Sequence, residues 1–203
     1  MARPREFDES AALDAAIECF WSRGYEATSV RDLTGKMGIT GASLYNAFGD
    51  KHALFRRALD RYIETGFNDC LRRIEGQLPP REAIGAFFDD IVERSLGDPH
   101  RKGCLLVNAA LEVAPHDPEL QRVVAKFFTK VEEFFQRCVI AGQQSGTITL
   151  AQPAQDLARL LLGTLLAIRV MARARPKRAL LEGLVKPAFA LLDSHSKVKQ
   201  KGG

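Results

Sequence analysis

The feature that most constrains this chain is a closely spaced series of helix start and stop signals between residues 28 and 55. Ser29 and Asp32 stand three positions apart, which is the spacing of a capping box at a helix N-terminus. Apolar residues then recur at helical spacing until Gly38, a residue that takes the left-handed conformation at a helix end without a Cβ penalty. The pattern predicts a helix of about two turns that ends in a tight turn.

A second short helix is predicted directly after that turn. Thr40 is placed to cap it, and Leu44 and Phe48 lie on one side of it at i and i+4. The residues on its other faces are small or form hydrogen bonds, and they are Gly41, Ala42, Ser43, Tyr45, Asn46 and Ala47. A helix that enters a DNA major groove about 12 Å wide needs such a slim outer face. The run therefore fits a helix-turn-helix, although the same spacing also describes an ordinary helical hairpin.

In the helix-turn-helix interpretation, the candidate DNA-binding residues lie near the two helix starts and along the second helix. Asn46 is assigned to a base edge, and Tyr45 and Lys51 are assigned to phosphates. The full candidate set is Thr28, Ser29, Arg31, Thr40, Gly41, Ala42, Ser43, Tyr45, Asn46 and Lys51. Residues 2–7 form a basic arm, which is either a frayed end or a segment laid on the phosphate backbone.

The same run resembles the DNA-binding signature of transcriptional regulators of the tetracycline-repressor (TetR/AcrR) type. The resemblance covers about residues 6–60, and the upstream segment AALDAAIECFWSRGYEATSV is similar to the family's first helix and its Gly-Tyr turn. One position departs from the family pattern, because Gly41 stands where the family often has Lys or another long residue. The matching positions are Thr28, Val30, Ile39-Thr40, Ser43-Leu44-Tyr45, Phe48, Lys51 and Ala53-Leu54-Phe55.

The resemblance implies an all-α protein with an N-terminal three-helix helix-turn-helix domain and a C-terminal helical domain for ligand binding and dimerisation. Residues 1–50 are assigned to the DNA-binding domain, residues 51–193 to the second domain and residues 194–203 to a disordered tail. Two closing helices with wide apolar faces are expected to pack with their symmetry mates into a four-helix bundle. The helices predicted after the first domain cover about 51–77, 81–96, 104–113, 118–142, 154–172 and 177–192.

The function implied by the resemblance is that of a homodimeric repressor. It would bind a palindromic operator in double-stranded DNA and be released by a small-molecule effector. Activation in place of repression remains open. A small-molecule carrier or an enzyme is the outside alternative, but the chain has no Gly-rich phosphate loop, no HExxH motif and no nucleophile elbow, so no catalytic activity is expected.

Composition says more about where the protein is located in the cell than about what it does. The net charge is +4, but residues 1–60 hold eight basic and nine acidic residues, so the excess lies outside the predicted DNA-binding domain. The longest apolar stretch, residues 160–168, is far short of the ~20 residues of a membrane span, and no signal peptide is evident. A cytoplasmic protein without a membrane partner is expected. The cysteines at 19, 70, 104 and 138 have no metal-site spacing, so no metal or cofactor is expected.

A second candidate site lies in the segment GCLLVN and the residues after it. Cys104 is predicted to open a helix beside Arg101 and Lys102, an arrangement that favours the reactive thiolate. Asn108 and Glu112 follow at i+4 and i+8, so a thiol, an amide and a carboxylate are expected on one face as an effector-sensing site. The Gly-Cys-Leu segment is similar to one in electrophile- and hypohalous-acid-sensing members of the TetR family, and to one in a copper-responsive member. The alternative is a core cysteine beside an ordinary Asn and a solvated Glu.

Overall fold

The computed structural model describes residues 7–193, and every regular element in that range is helical. The predicted all-α class is therefore confirmed. Residues 2–6 of the predicted arm and the predicted tail at 194–203 lie outside the described residues. The α-helices are α1 (Glu9–Arg23), α2 (Val30–Met37), α3 (Gly41–Phe48), α4 (Lys51–Tyr62), α5 (Asp69–Ile74), α6 (Pro80–Leu96), α7 (Leu105–Glu112), α8 (Pro118–Gln144), α9 (Ala154–Ala174) and α10 (Arg178–Ala190).

The segment predicted as one helix over residues 51–77 has an interruption. A π-helical stretch, Ile63–Asn68, joins α4 to α5, and the helical run ends at Ile74. A π turn adds a residue to the α-helical spacing. Apolar periodicity does not reveal it, because Ile63 and Phe67 stay on the buried side within the π stretch.

The described chain forms two compact units. The first contains the residues up to Cys70 together with Lys102–Phe127, and the second contains Leu71–Arg101 and the residues from Phe128 onward. The first unit is larger than the predicted DNA-binding domain 1–50, because α4 packs on α1, and α7 packs on both α1 and α4. The boundary predicted between residues 50 and 51 stays a prediction.

The first unit is built around α1. Asp8 caps this helix by accepting hydrogen bonds from the amides of Ser10 and Ala11 at 2.8 and 3.2 Å. The α1 residue Phe20 is 1% exposed and packs edge-on against Phe55 of α4, with ring centroids 4.8 Å apart. The core of this unit also contains Ala16, Leu33, Leu44, Leu54, Ala58, Leu59 and Leu106, each fully buried. The four helices α1 to α4 are thus held by one continuous apolar contact region.

The second unit contains an aromatic core. Phe135 of α8 contacts Phe87 and Phe88 of α6, with ring centroids 5.3 and 5.6 Å apart. The helices α6, α9 and α10 pack on one another, and apolar side chains remain partly exposed on α9, with Leu160 37% and Val170 47% exposed. Between residues 7 and 193, no helix combines the length and the apolar character needed to cross a membrane.

Candidate nucleic-acid interface

The start of α2 is the predicted capping box. The Ser29 hydroxyl accepts from the Asp32 amide at 3.1 Å, and the Asp32 carboxylate accepts from the Ser29 amide at 3.0 Å. Arg23 at the end of α1 forms an ion pair with the same carboxylate at 2.5 Å. These hydrogen bonds satisfy amides at the helix N-terminus and hold α2 against α1.

The turn between α2 and α3 also follows the predicted pattern. Gly38 has φ +68°, in the left-handed region, and it ends α2. Thr40 caps α3 by accepting from the Ser43 amide at 3.1 Å, and the Thr40 and Ser43 hydroxyl oxygens lie 2.9 Å apart. The two short helices are therefore joined by three residues, as in a helix-turn-helix.

One side of α3 is buried and the other is open. Leu44 is 0% exposed and Phe48 is 4% exposed, which attaches the helix to the core of the first unit. Behind its C-terminus, Arg57 of α4 donates to the Ala47 carbonyl at 3.2 Å and lies over the Phe48 ring. The outer residues Ala42, Tyr45 and Asn46 are exposed, with Tyr45 53% exposed. The helix thus exposes a face of small and polar residues, while its opposite face is anchored in the core of the first unit.

Gly41 leaves open space at the start of α3. A Cβ added there would meet no heavy atom within 4 Å. The long residue that the TetR family often carries at this position would therefore fit the same backbone. Packing does not require a glycine here, so the missing side chain affects only the exposed surface of α3.

Two basic candidate residues flank this surface. Arg31 is exposed in the first turn of α2. Lys51 is half-buried at the start of α4, where its Nζ lies 4.3 Å from the centroid of the Tyr25 ring and 3.5 Å from the Glu26 carbonyl oxygen. Neither cation forms an ion pair within residues 7–193, so both positive charges remain available to an anion.

Thr28 does not belong to this surface. Its side chain is 0% exposed, and its hydroxyl donates to the Gly24 carbonyl at 2.6 Å. The prediction that Thr28 contacts DNA is corrected on this ground, because a fully buried hydroxyl cannot reach a phosphate. Thr28 instead closes the turn between α1 and α2, and the other predicted residues of this set lie at or near the surface.

The predicted sensing residues take separate positions on α7. Cys104 precedes the helix as its N-cap residue and is 7% exposed. The Asn108 side chain donates to the Lys102 carbonyl at 2.9 Å. The Glu112 carboxylate accepts from the amides of Tyr25 and Glu26 at 3.2 and 2.9 Å. The Glu112 oxygens thus contact the turn after α1, and the convergence of all three residues as one effector site stays a prediction.

Further polar contacts join the segment after residue 101 to α1 and α4. Lys102 forms an ion pair with Glu18 at 2.9 Å, and its Nζ lies 4.5 Å from the Trp21 ring. The His52 ring nitrogen lies 2.6 Å from Asp117, whose carboxylate also caps α8. No local pattern signals these pairs, since each joins residues more than 60 positions apart.

Comparison with known proteins agrees with this geometry. The family model for bacterial regulatory proteins of the tetR family matches residues 12–58, and the model for the tetracyclin repressor-like C-terminal domain matches residues 80–186. The uncharacterized HTH-type transcriptional regulator YezE of Bacillus subtilis (strain 168) is 33% identical over 95% of this chain and 100% of its own. The HTH-type transcriptional repressor ComR of Escherichia coli (strain K12) is 32% identical over 72% of this chain and 70% of its own.

A solved structure shows the same likeness. It contains a cysteine mutant of the TetR family transcriptional regulator CifR with 26-bp double-strand operator DNA. The TM-score is 0.82 and the identity is 31%, with 93% of this chain and 98% of that chain covered.

The fold and the exposed α3 surface define a helix-turn-helix protein of the DNA-binding class. With two family models covering most of its length, the chain belongs to the TetR family of transcriptional regulators.

The capping box makes part of the stability depend on pH. The pKa of Asp32 is lowered from 3.8 to about 2, first by the hydrogen bonds from Ser29 and then by Arg23. The carboxylate therefore stabilises the folded state above pH 3.8, and this stabilisation is lost as the pH falls through about 2. Asp32→Asn should lower the free energy of unfolding in urea at pH 6, and the difference from the wild type should shrink towards pH 2.

The matched control is Asp60→Asn, at an exposed position of α4. This variant should follow the wild type at both pH values. A wild-type advantage over Asp32→Asn that stays the same at pH 6 and at pH 2 would contradict a role for the ionised carboxylate.

Proposed function

We propose that this protein is a homodimeric transcriptional repressor that binds an inverted-repeat operator and is released by a small-molecule effector. The observation that carries the proposal is the exposed surface of α3 from Thr40 to Asn46. It is capped at its start, buried on its inner side by Leu44 and Phe48, and free of bulk at Gly41 and Ala42. Such a surface fits the major groove, where an Asn carboxamide pairs with an adenine edge.

The known relatives support repression and DNA as the partner. ComR is described as a transcriptional repressor, and CifR was solved on its operator. The partly exposed apolar residues of α9, such as Leu160 and Val170, support a second copy of the chain as the dimerisation partner. Two-fold symmetry then requires two half-sites about one helical turn, or a multiple of it, apart.

Release by an effector requires that the effector bind one arrangement of the two reading surfaces better than the other. A 100-fold preference corresponds to about 2.7 kcal/mol. Such a preference is within the usual range of coupling free energies between two sites.

Selection from a library of random DNA duplexes at near-physiological salt tests the proposal. The wild-type protein should enrich one inverted repeat, because two identical surfaces read the two half-sites. Asn46→Ala should still bind but accept other base pairs at one position in each half-site, with discrimination reduced by about 1–3 kcal/mol. Competition binding between the enriched duplex and single-base variants measures this loss.

The matched control for the selection is Arg31→Ala, which removes an exposed cation in the first turn of α2 that we assign to a phosphate. It should weaken binding to all duplexes alike and leave the base preference unchanged, since phosphate contacts carry no sequence information. Enrichment of sequences without two-fold symmetry, or unchanged base preference in Asn46→Ala, would contradict the proposal.

Release through a thiol is the second candidate, and the position of Cys104 favours it. Cys104 is the N-cap residue of the eight-residue helix α7, and its side chain makes no capping hydrogen bond. The CifR protein solved on its operator was a cysteine mutant. A thiol sensor of this kind would add to the carbon–carbon double bond of a reagent such as N-ethylmaleimide: the thiolate sulfur forms the S–C bond, the C=C π bond opens, and the resulting enolate carbon takes a proton from water.

Cys104→Ser should keep DNA binding and lose release by N-ethylmaleimide, measured by fluorescence anisotropy on the selected duplex. The matched control is Cys138→Ser on α8. Burial raises the pKa of the Cys138 thiol to about 11, which disfavours its thiolate at neutral pH. Release of Cys104→Ser at the wild-type concentration of reagent would exclude Cys104 as the sensor.

A further inference from the structure

The contact between Glu112 and the turn after α1 is unusual because one carboxylate binds two consecutive backbone amides. Its Oε2 accepts from the Tyr25 amide at 3.2 Å, and its Oε1 accepts from the Glu26 amide at 2.9 Å. Both hydrogen bonds join residues more than 85 positions apart in the chain. Hydrogen bonds to an ionised group are stronger than those between neutral groups, so this contact fixes the turn firmly.

Gly24 makes room for the carboxylate. A Cβ at Gly24 would lie 2.8 Å from Oε2 and 2.9 Å from Oε1 of Glu112, closer than real Cβ contacts allow. The residue also has φ +87°, a conformation that L side chains rarely adopt. A side chain at Gly24 would therefore be strained by the backbone conformation and would require the Glu112 carboxylate to move.

Tyr25 and Glu26, which Glu112 binds through their amides, are also the two residues that Lys51 contacts. The Lys51 Nζ lies 4.3 Å from the centroid of the Tyr25 ring and 3.5 Å from the Glu26 carbonyl oxygen. The Tyr25 ring is itself packed against Phe55, with centroids 4.8 Å apart. A series of direct contacts thus runs from the end of α7, through the turn, to the ammonium group at the start of α4.

A lysine side chain has four flexible bonds, and fixing it on binding costs conformational entropy. A cation already held in place by a ring and a carbonyl loses less when it meets a phosphate. The contacts of Lys51 are with uncharged groups, so they orient the cation without neutralising it.

We propose that Glu112 is a positioning residue for DNA binding, which acts through the Gly24–Glu26 turn to hold Lys51 in place for a phosphate. The inference rests on the proposed function, because it assumes that Lys51 faces the DNA backbone. It assigns to Glu112 a role in the DNA-bound state, in place of the effector contact expected from the sequence.

The test is a double-mutant cycle between Glu112→Gln and Lys51→Met, measured by fluorescence anisotropy on the selected duplex and on a random-sequence duplex of equal length. Glu112→Gln keeps the size of the side chain and one accepting oxygen, but it loses the charge and one acceptor. It should raise the Kd about three- to ten-fold on both duplexes, because a phosphate contact is independent of sequence. The slope of log Kd against log salt should fall by about one for each chain.

The cycle shows whether Glu112 acts through Lys51. In the Lys51→Met background, Glu112→Gln should change the Kd by less than about two-fold, since its target is already gone. The matched control is Glu119→Gln, which removes an exposed ion pair with Arg56 in the same part of the chain and should leave affinity and salt slope unchanged. Thermal melting followed by circular dichroism verifies that each variant is folded at the assay temperature.

Several results would overturn the inference. One is an unchanged Kd in Glu112→Gln. Another is a double variant whose increase in Kd equals the product of the increases in Glu112→Gln and Lys51→Met. A third is a loss of affinity in Glu112→Gln with an unchanged slope of log Kd against log salt. A Glu112→Gln variant that is unfolded at the assay temperature would make the residue structural and would equally reject the inference. A wild-type protein that binds neither duplex would instead contradict the proposed function itself.

Discussion

The candidate DNA-reading surface depends on side-chain caps, because its two helices are too short to be stable alone. The helices α2 and α3 have eight residues each, well below the length at which an isolated helix persists in water. Ser29 and Thr40 satisfy the amides at their starts, and loss of such a cap typically costs about 1 kcal/mol. The buried Leu33 and Leu44 then fasten both helices to the same core. Position, capping and burial together give the exposed face of α3 a defined orientation.

The unit that carries this surface also includes α7 and the start of α8. Exposed ion pairs contribute little to the stability with which α7 and α8 are held in this unit, since their charges are screened by solvent. The half-buried Glu112 contributes more, because its loss would leave two backbone amides without their partner. At the other end of the same helix is Cys104, so α7 has the candidate thiol at its start and a contact with the turn that precedes α2 at its end. The helix thus lies between a candidate sensing position and the turn that precedes the candidate DNA-binding helices.

Local patterns predicted the helices and their caps well, as the Ser29–Asp32 box, Gly38 and Thr40 show. These features are decided by residues within a few positions of one another, so a sequence contains their full signal. The π-helical stretch after α4 and the burial of Thr28 were missed, since they arise from packing against distant helices. The partner of Glu112 was missed for the same reason: helical spacing places a side chain on a face, but only the tertiary fold determines what that face contacts.

Methylation protection with dimethyl sulfate on the selected duplex tests most directly whether the α3 surface reads the major groove. Guanine N7 is exposed in the major groove, and adenine N3 is exposed in the minor groove. If α3 enters the major groove, guanine N7 should be protected in two clusters related by the two-fold axis, with adenine N3 as reactive as in free DNA. Protection of adenine N3 alone, or no protection of guanine N7 in a saturated complex, would contradict the assignment of α3 as the reading helix.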